Sequence, residues 1–173
     1  LKRRDFCTGL AVTLSSIGAA AQSFPVRPVR LIIPFPGGFT DVLARLVAEK
    51  MSERLGQPVL VEQKPGGSGQ IAASELLRQP ADGHVMMLIH IGTHAINPHL
   101  FPKLSYDPVK DFTPLTELVR VPNLLVCSPT LSGVNNAGDL VALARARPGS
   151  LFFASPGAGS SGHMAGELFR SMA

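Results

Sequence analysis

Short β-branched runs alternate with amphipathic stretches along this sequence, and that alternation limits the possible fold more than any other feature. Val29 to Ile33 is a β-branched run closed by Pro34. A helix is predicted from about Asp41 to Leu55, because Leu43, Leu46, Val47, Met51 and Leu55 recur on one face. Thr40 or Asp41 is suited to cap its start, and Gly56 to end it. A second strand follows at Val59 to Glu62, and a second helix from about Ile71 to Arg78 is stopped by Pro80. Val85 to Ile89 reads as a third strand, apolar enough for burial on both faces. This βαβαβ order predicts an α/β fold with a parallel sheet, because parallel neighbours need a crossover that a helix supplies.

The same signals recur further on. Leu124 to Cys127 reads as a strand, Asp139 to Arg147 as a helix, Leu151 to Ala154 as a strand, and a last helix starts near Gly162. Leu168, Phe169 and Met172 share an apolar face that needs a partner sheet. A boundary is expected near Val121 to Asn123, with a first α/β unit over 22–122 and the truncated start of a second over 123–173. Cys127 is expected to pack as a small buried apolar residue in its strand.

Composition narrows the function classes. Hydrophobic residues make up 45% and charged residues 16% of the 173, which excludes a disordered chain. Half of the formal net charge of +4 comes from Lys2, Arg3, Arg4 and Asp5, and the other cations are scattered. That pattern does not track phosphates, so nucleic acid is excluded as a partner. Residues 1–21 have the layout of an export signal: a basic head, an apolar stretch from Leu10 to Ile17, and Ala19-Ala20-Ala21. Cleavage after Ala21 is expected, with delivery to the periplasm. Arg3-Arg4-Asp5-Phe6 resembles a twin-arginine signal, and a Sec signal fits nearly as well.

Three strand-to-helix junctions are rich in Gly, Pro and small polar residues. The first supplies Phe35, Gly37, Gly38, Thr40 and Asp41, and the second supplies Thr93, His94 and Asn97. The third supplies Ser155, Gly157, Gly159, Ser160, Ser161 and His163. Such junctions stand at the carboxyl ends of strands, where free N–H groups of helix N-termini attract anions. Each alone reads equally well as a tight turn; three together point to a binding cleft. Gly157 to Gly162 also matches the dinucleotide fingerprint, which keeps a nucleotide-binding enzyme as the alternative. His90 and His94 have a one-face helical spacing, yet Gly92 lies between them and no acidic residue is near, so no metal site is expected. Ser160 or Ser161 beside His163 lacks a nucleophile-elbow context, and no catalytic residue is assigned.

Six motifs in order carry a resemblance: Pro34 to Asp41, Glu62 to Gly69, Pro80-Ala81-Asp82-Gly83, Gly92 to Pro98, Tyr106 to Phe112, and Gly166-Glu167-Leu168-Phe169. Together they resemble the Bug family of tripartite tricarboxylate transporter receptors, or TctC-like proteins. The resemblance implies a type II periplasmic-binding-protein fold, two doubly wound domains of which only the first part is present. It also implies a receptor with no enzymatic activity and no cofactor. The ligand class would be a small organic acid: a dicarboxylate, a tricarboxylate, an acidic amino acid or an aromatic acid. Membrane permease subunits would be its partners. The first two junctions would hold one carboxylate, partly through ordered water, and the third would approach from the second domain. Two departures stand out. The Pro34 to Asp41 loop is one residue shorter than the family's, which would displace the anion pocket. The chain is also shorter than a complete receptor, so open sheet edges, poor folding and weak binding are expected, with a non-binding truncated remnant as a further alternative.

Overall fold

β1 (Val29–Ile33) is the central strand of a parallel sheet ordered β2-β1-β3, with β2 at Val59–Gln63 and β3 at Val85–Met87. The computed structural model describes residues 24–35 and 37–173. The expected export signal lies outside the described residues. α1 (Gly38–Leu55) connects β1 to β2, and α2 (Gln70–Leu77) connects β2 to β3. A 3-10 turn (Gly67–Gly69), a π-helical turn (Gly92–Ile96), a short helix α3 (Asn97–Leu100), α4 (Ala137–Ala146) and α5 (Ser161–Met172) complete the elements among the described residues.

Strand alternation explains the layering. Side chains of successive residues point to opposite faces, so Val29, Leu31 and Ile33 pack with Ala44 and Ala48 of α1. Ile32 packs on the other face with Ala72 of α2 and Val85 of β3. The sheet is thus covered on both sides, as the α/β reading requires. Arg30 shares the face of Ile32. Its guanidinium grips both oxygens of Glu62 at 2.7 Å and reaches Glu75 of α2 at 3.3 Å. That fork holds the Glu62 carboxyl below its ordinary range.

Several expectations need correction. α1 begins at Gly38 and is preceded by Gly37, so neither Thr40 nor Asp41 is its cap. Its buried stripe centres on Ala44 and Ala48, whose small side chains let the helix lie close to β1; Leu46 is 55% exposed. Gly56 ends the helix in the left-handed region, as read from sequence. β3 stops at Met87, and Ile89 is exposed rather than buried. The reason is that the chain turns into the π-helical segment three residues further on.

Neither 124–127 nor 151–154 forms a strand. Among the described residues no strand pairs with either, and Leu124, Val126 and Phe152 are more than four-fifths exposed. Cys127 is exposed, contrary to the buried position expected of it. α4 forms with its own cap, the Asn136 Oδ1 accepting from the Asp139 N–H at 3.0 Å. α5 leaves Leu168 and Met172 largely exposed.

Candidate functional site

Because the sheet is parallel, β1, β2 and β3 release their following loops at one edge. β1 leads into Pro34 and Phe35, β2 into Gly66–Gly69, and β3 into the π-helical turn. The β2 loop makes the closest approach. Gly66, Gly67, Ser68 and Gly69 all take positive φ, 117°, 55°, 54° and 89°. A Cβ on Gly69 would stand 2.4 Å from Thr93 Cγ2 and 3.2 Å from Pro34 Cβ. Only glycine satisfies both the backbone angle and the contact.

Thr93 is fully buried at the centre of this convergence. Its hydroxyl donates to the His90 carbonyl at 3.0 Å and lies 2.9 Å from His94 Nδ1. The hydroxyl has one proton, so His94 Nδ1 carries the hydrogen of the second bond. His94 Nε2 is then a bare acceptor, buried with no protein partner. His90 has the opposite tautomer, because its Nδ1 accepts the Gly92 N–H at 2.7 Å. The Phe35 ring leans on His90 with centroids 4.4 Å apart, and Phe112 meets His94 edge-on at 4.8 Å. Burial pushes both imidazoles below their ordinary pKa, and repulsion from His94 adds to the effect on His90.

Asn97 is also fully buried. Its amide nitrogen donates to the Ser68 carbonyl at 2.9 Å and to the Tyr106 hydroxyl at 3.2 Å. Tyr106 in turn donates to the Thr93 carbonyl at 2.5 Å. Asn97 Oδ1 has no partner and faces Gly159, whose added Cβ would lie 3.2 Å away. The third junction reaches the cluster here. Ser68 Oγ donates to the Ala158 carbonyl at 3.1 Å, and a Cβ on Gly92 would stand 2.8 Å from the Gly159 carbonyl oxygen.

The structure therefore brings together Phe35, Thr93, His94, Asn97 and Gly159 from the three junctions. The remaining candidates are placed differently. Gly37 and Gly38, with φ of 75° and 61°, face open space at the start of α1. Thr40 is half-buried in its first turn. The Asp41 carboxylate is occupied by Arg45 at 2.8 and 3.2 Å and by Gln63 at 2.9 Å, which hold it below the usual carboxylate range. Ser160 caps α5 by accepting from the His163 N–H at 3.1 Å, and Ser161 bonds Asn123. His163 has a buried Nδ1 without a partner, Ser155 is half-buried, and Gly157 is exposed at φ 139°. Residues 151–154 do not form the strand that the dinucleotide fingerprint requires before its glycines.

Ser68, Gly69 and Tyr106 were not among the sequence candidates. Three glycines around one serine signal a loop that can touch another backbone, but nothing in their order names Thr93 as the contact. Tyr106 is the only tyrosine of the chain, and its hydroxyl needs a partner once buried. The unpartnered polar atoms of the cluster among the described residues, His94 Nε2 and Asn97 Oδ1, are both acceptors, so they suit a donor such as an ordered water, while the Ser68, Thr93 and Tyr106 hydroxyl protons are already given to carbonyls.

Comparison with known proteins shows the family of the chain. The model of the tripartite tricarboxylate transporter family receptor, TctC, matches residues 43–173. The protein BugT of Bordetella pertussis is 35% identical over 166 residues, covering 94% of this chain and 51% of BugT. The solved structure of R. palustris Rpa4515 with adipate is 43% identical with a TM-score of 0.82, over 86% of this chain and 50% of that one. MatC (Rpa3494) from Rhodopseudomonas palustris, with bound malate, is 47% identical with a TM-score of 0.51, over 53% of this chain and 31% of that one. The chain spans about half the length of the curated relatives it matches. On the match of residues 43–173 and on these relatives, the chain belongs to the tripartite tricarboxylate transporter receptor family.

Proposed function

We propose that this chain carries the first half of an exported solute receptor that captures a small organic carboxylate and delivers it to membrane permease subunits. The convergence of three loops on Thr93 at the carboxyl edge of a parallel sheet carries this reading, because ligands of open α/β sheets bind at that edge. Gly37 and Gly38 support it further. They leave the start of an eighteen-residue helix open, where backbone N–H groups and the helix dipole favour an anion. The ligand-bound neighbours hold adipate and malate, both small dicarboxylates, which supports the same ligand class here. Residues 1–21 supply the export signal and 22–122 the first domain, with 123–173 opening the second. The receptor has no catalytic residue and uses no cofactor.

Thermal-shift and calorimetric titration of the full chain test this against adipate, malate, citrate, glutamate and benzoate, with NAD and ATP alongside. For this half receptor only weak stabilisation, growing with the logarithm of acid concentration, is expected with at least one of the acids. A response to a nucleotide and to none of the acids would overturn the reading.

A further inference from the structure

The hydrogen bonds between Ser68 and Thr93 form one connected series, donated outward from the Asn97 amide. Tyr106 Oη has a single proton, and it goes to the Thr93 carbonyl. The same oxygen accepts from Asn97, whose second amide hydrogen goes to the Ser68 carbonyl. The Ser68 hydroxyl donates to Ala158, ninety positions away in sequence. Every donor in the series is used, so none can be redirected without releasing the next.

Tyr106 is also braced from outside. Asp107 Oδ1 accepts from the Val109 and Lys110 N–H groups at 2.9 and 3.0 Å, and Asp111 accepts from the Asp107 N–H at 2.7 Å. Phe112 packs perpendicular to the Tyr106 ring with centroids 5.6 Å apart. The phenol is 6% exposed and fixed at both ends. Thr93 is pinned by its carbonyl to Tyr106 and by its hydroxyl to His90 and His94, so its orientation depends on where the phenol stands.

We propose that Tyr106 is a positioning residue that sets the Thr93 turn for ligand, and that the Ser68 contact with Ala158 is relayed to it through Asn97. The inference rests on the three-loop cluster around Thr93 belonging to the carboxylate site. Approach of the third junction would fix Ser68, then Asn97, then Tyr106, so that loop contact and turn geometry change together.

These 173 residues contain one tyrosine and no tryptophan, so their tyrosine emission reports Tyr106 alone. Adipate and malate serve as probes. In the unmodified protein, binding should change that emission. Tyr106→Phe should weaken binding by about tenfold, the effect of orphaning a buried donor and acceptor. Ser68→Ala should keep the melting temperature while reducing both the affinity and the emission change. A merely structural tyrosine would alter melting and leave the Ser68→Ala emission response intact. Unchanged affinity in Tyr106→Phe, or a full emission change in Ser68→Ala, overturns the proposal and leaves the receptor reading standing. If Tyr106→Phe does not fold, the Ser68→Ala measurement decides alone. If the unmodified chain binds neither acid nor any other carboxylate tested, the receptor reading falls and this proposal falls with it.

Discussion

Val29–Ile33 and the segment 124–127 have the same kind of sequence, short and rich in branched aliphatic residues, and opposite fates. In β1, Val29, Ile32 and Ile33 are completely buried, and the strand pairs on both sides. In the second segment Leu124 and Val126 are each 81% exposed and no strand pairs with them. The difference does not lie in propensity. β2 follows β1 and β3 follows β2 through one α-helix each, within about sixty residues, whereas no segment among the described residues offers 124–127 a partner. A strand signal records fitness for a pleated, half-buried surface, and it is realised only when a neighbour takes its N–H and C=O groups. The helices α4 and α5 form regardless, because a helix satisfies its backbone within itself and each has its own cap.

The contrast is sharpest at single side chains. Ile32→Ala removes a buried side chain between Ala72 and Val85, and should cost about 2–5 kcal/mol in urea unfolding. Phe152→Ala removes a larger side chain that is 93% exposed, and should change stability by less than about 0.5 kcal/mol. Equal costs would mean that 151–154 is packed in solution, and the comparison would be wrong.

Glycines give a finer version. Gly69→Ala combines a φ of 89° with a Cβ 2.4 Å from Thr93 Cγ2, so it should destabilise by about 2–3 kcal/mol and displace the Thr93 turn. Gly149→Ala has a similar φ of 76° with open space around it, and should show only the backbone penalty of about 1 kcal/mol. Thermal unfolding of both variants measures the gap, and equal shifts would remove Gly69 from its role in joining β2 to the site.

Much of the first region was legible in the sequence. β1 falls where the β-branched run and Pro34 place it, and Gly56 ends α1 as a left-handed cap. The start of α1 was misread because Thr40 and Asp41 look like caps, while Gly37 and Gly38 supply an entry that needs positive φ and no side chain. Of the site, Phe35, Thr93, His94, Asn97 and Gly159 could be listed from loop composition. Asp41 could be separated from them only in part: its pairing with Arg45 four residues on is a local signal, while its bond to Gln63 spans twenty-two residues. Ser68 and Tyr106 escaped for the same reason: their roles are contacts across the fold, and local pattern does not encode them. The strands expected in the second region failed through a missing neighbour, which no local pattern reports.

Acidification separates the two regions with a smaller effect. His90 and His94 are held below their ordinary pKa when folded, chiefly by burial, while in the unfolded chain they titrate near 6.5. As pH falls through about 6.5 the unfolded chain binds protons that the folded chain resists, so the stability present above that pH is lost as pH drops toward the folded-state values. Protonation also acts locally, since His90 Nδ1 would lose the lone pair that accepts the Gly92 N–H. The carboxylates held low, among them Asp82 at about 2 through the His84 N–H and Arg27, act in a more acidic window, so the interval from about 6.5 to 5 belongs to the histidines. Hydrogen exchange at pH 7.5 and 5.5, corrected for intrinsic rates, should show residues 90–97 opening while α4 is unchanged. Replacing His90 and His94 together by Gln should flatten the dependence. A uniform rise across both regions would place the proton uptake elsewhere, and the Thr93 turn would then owe nothing to its neutral imidazoles.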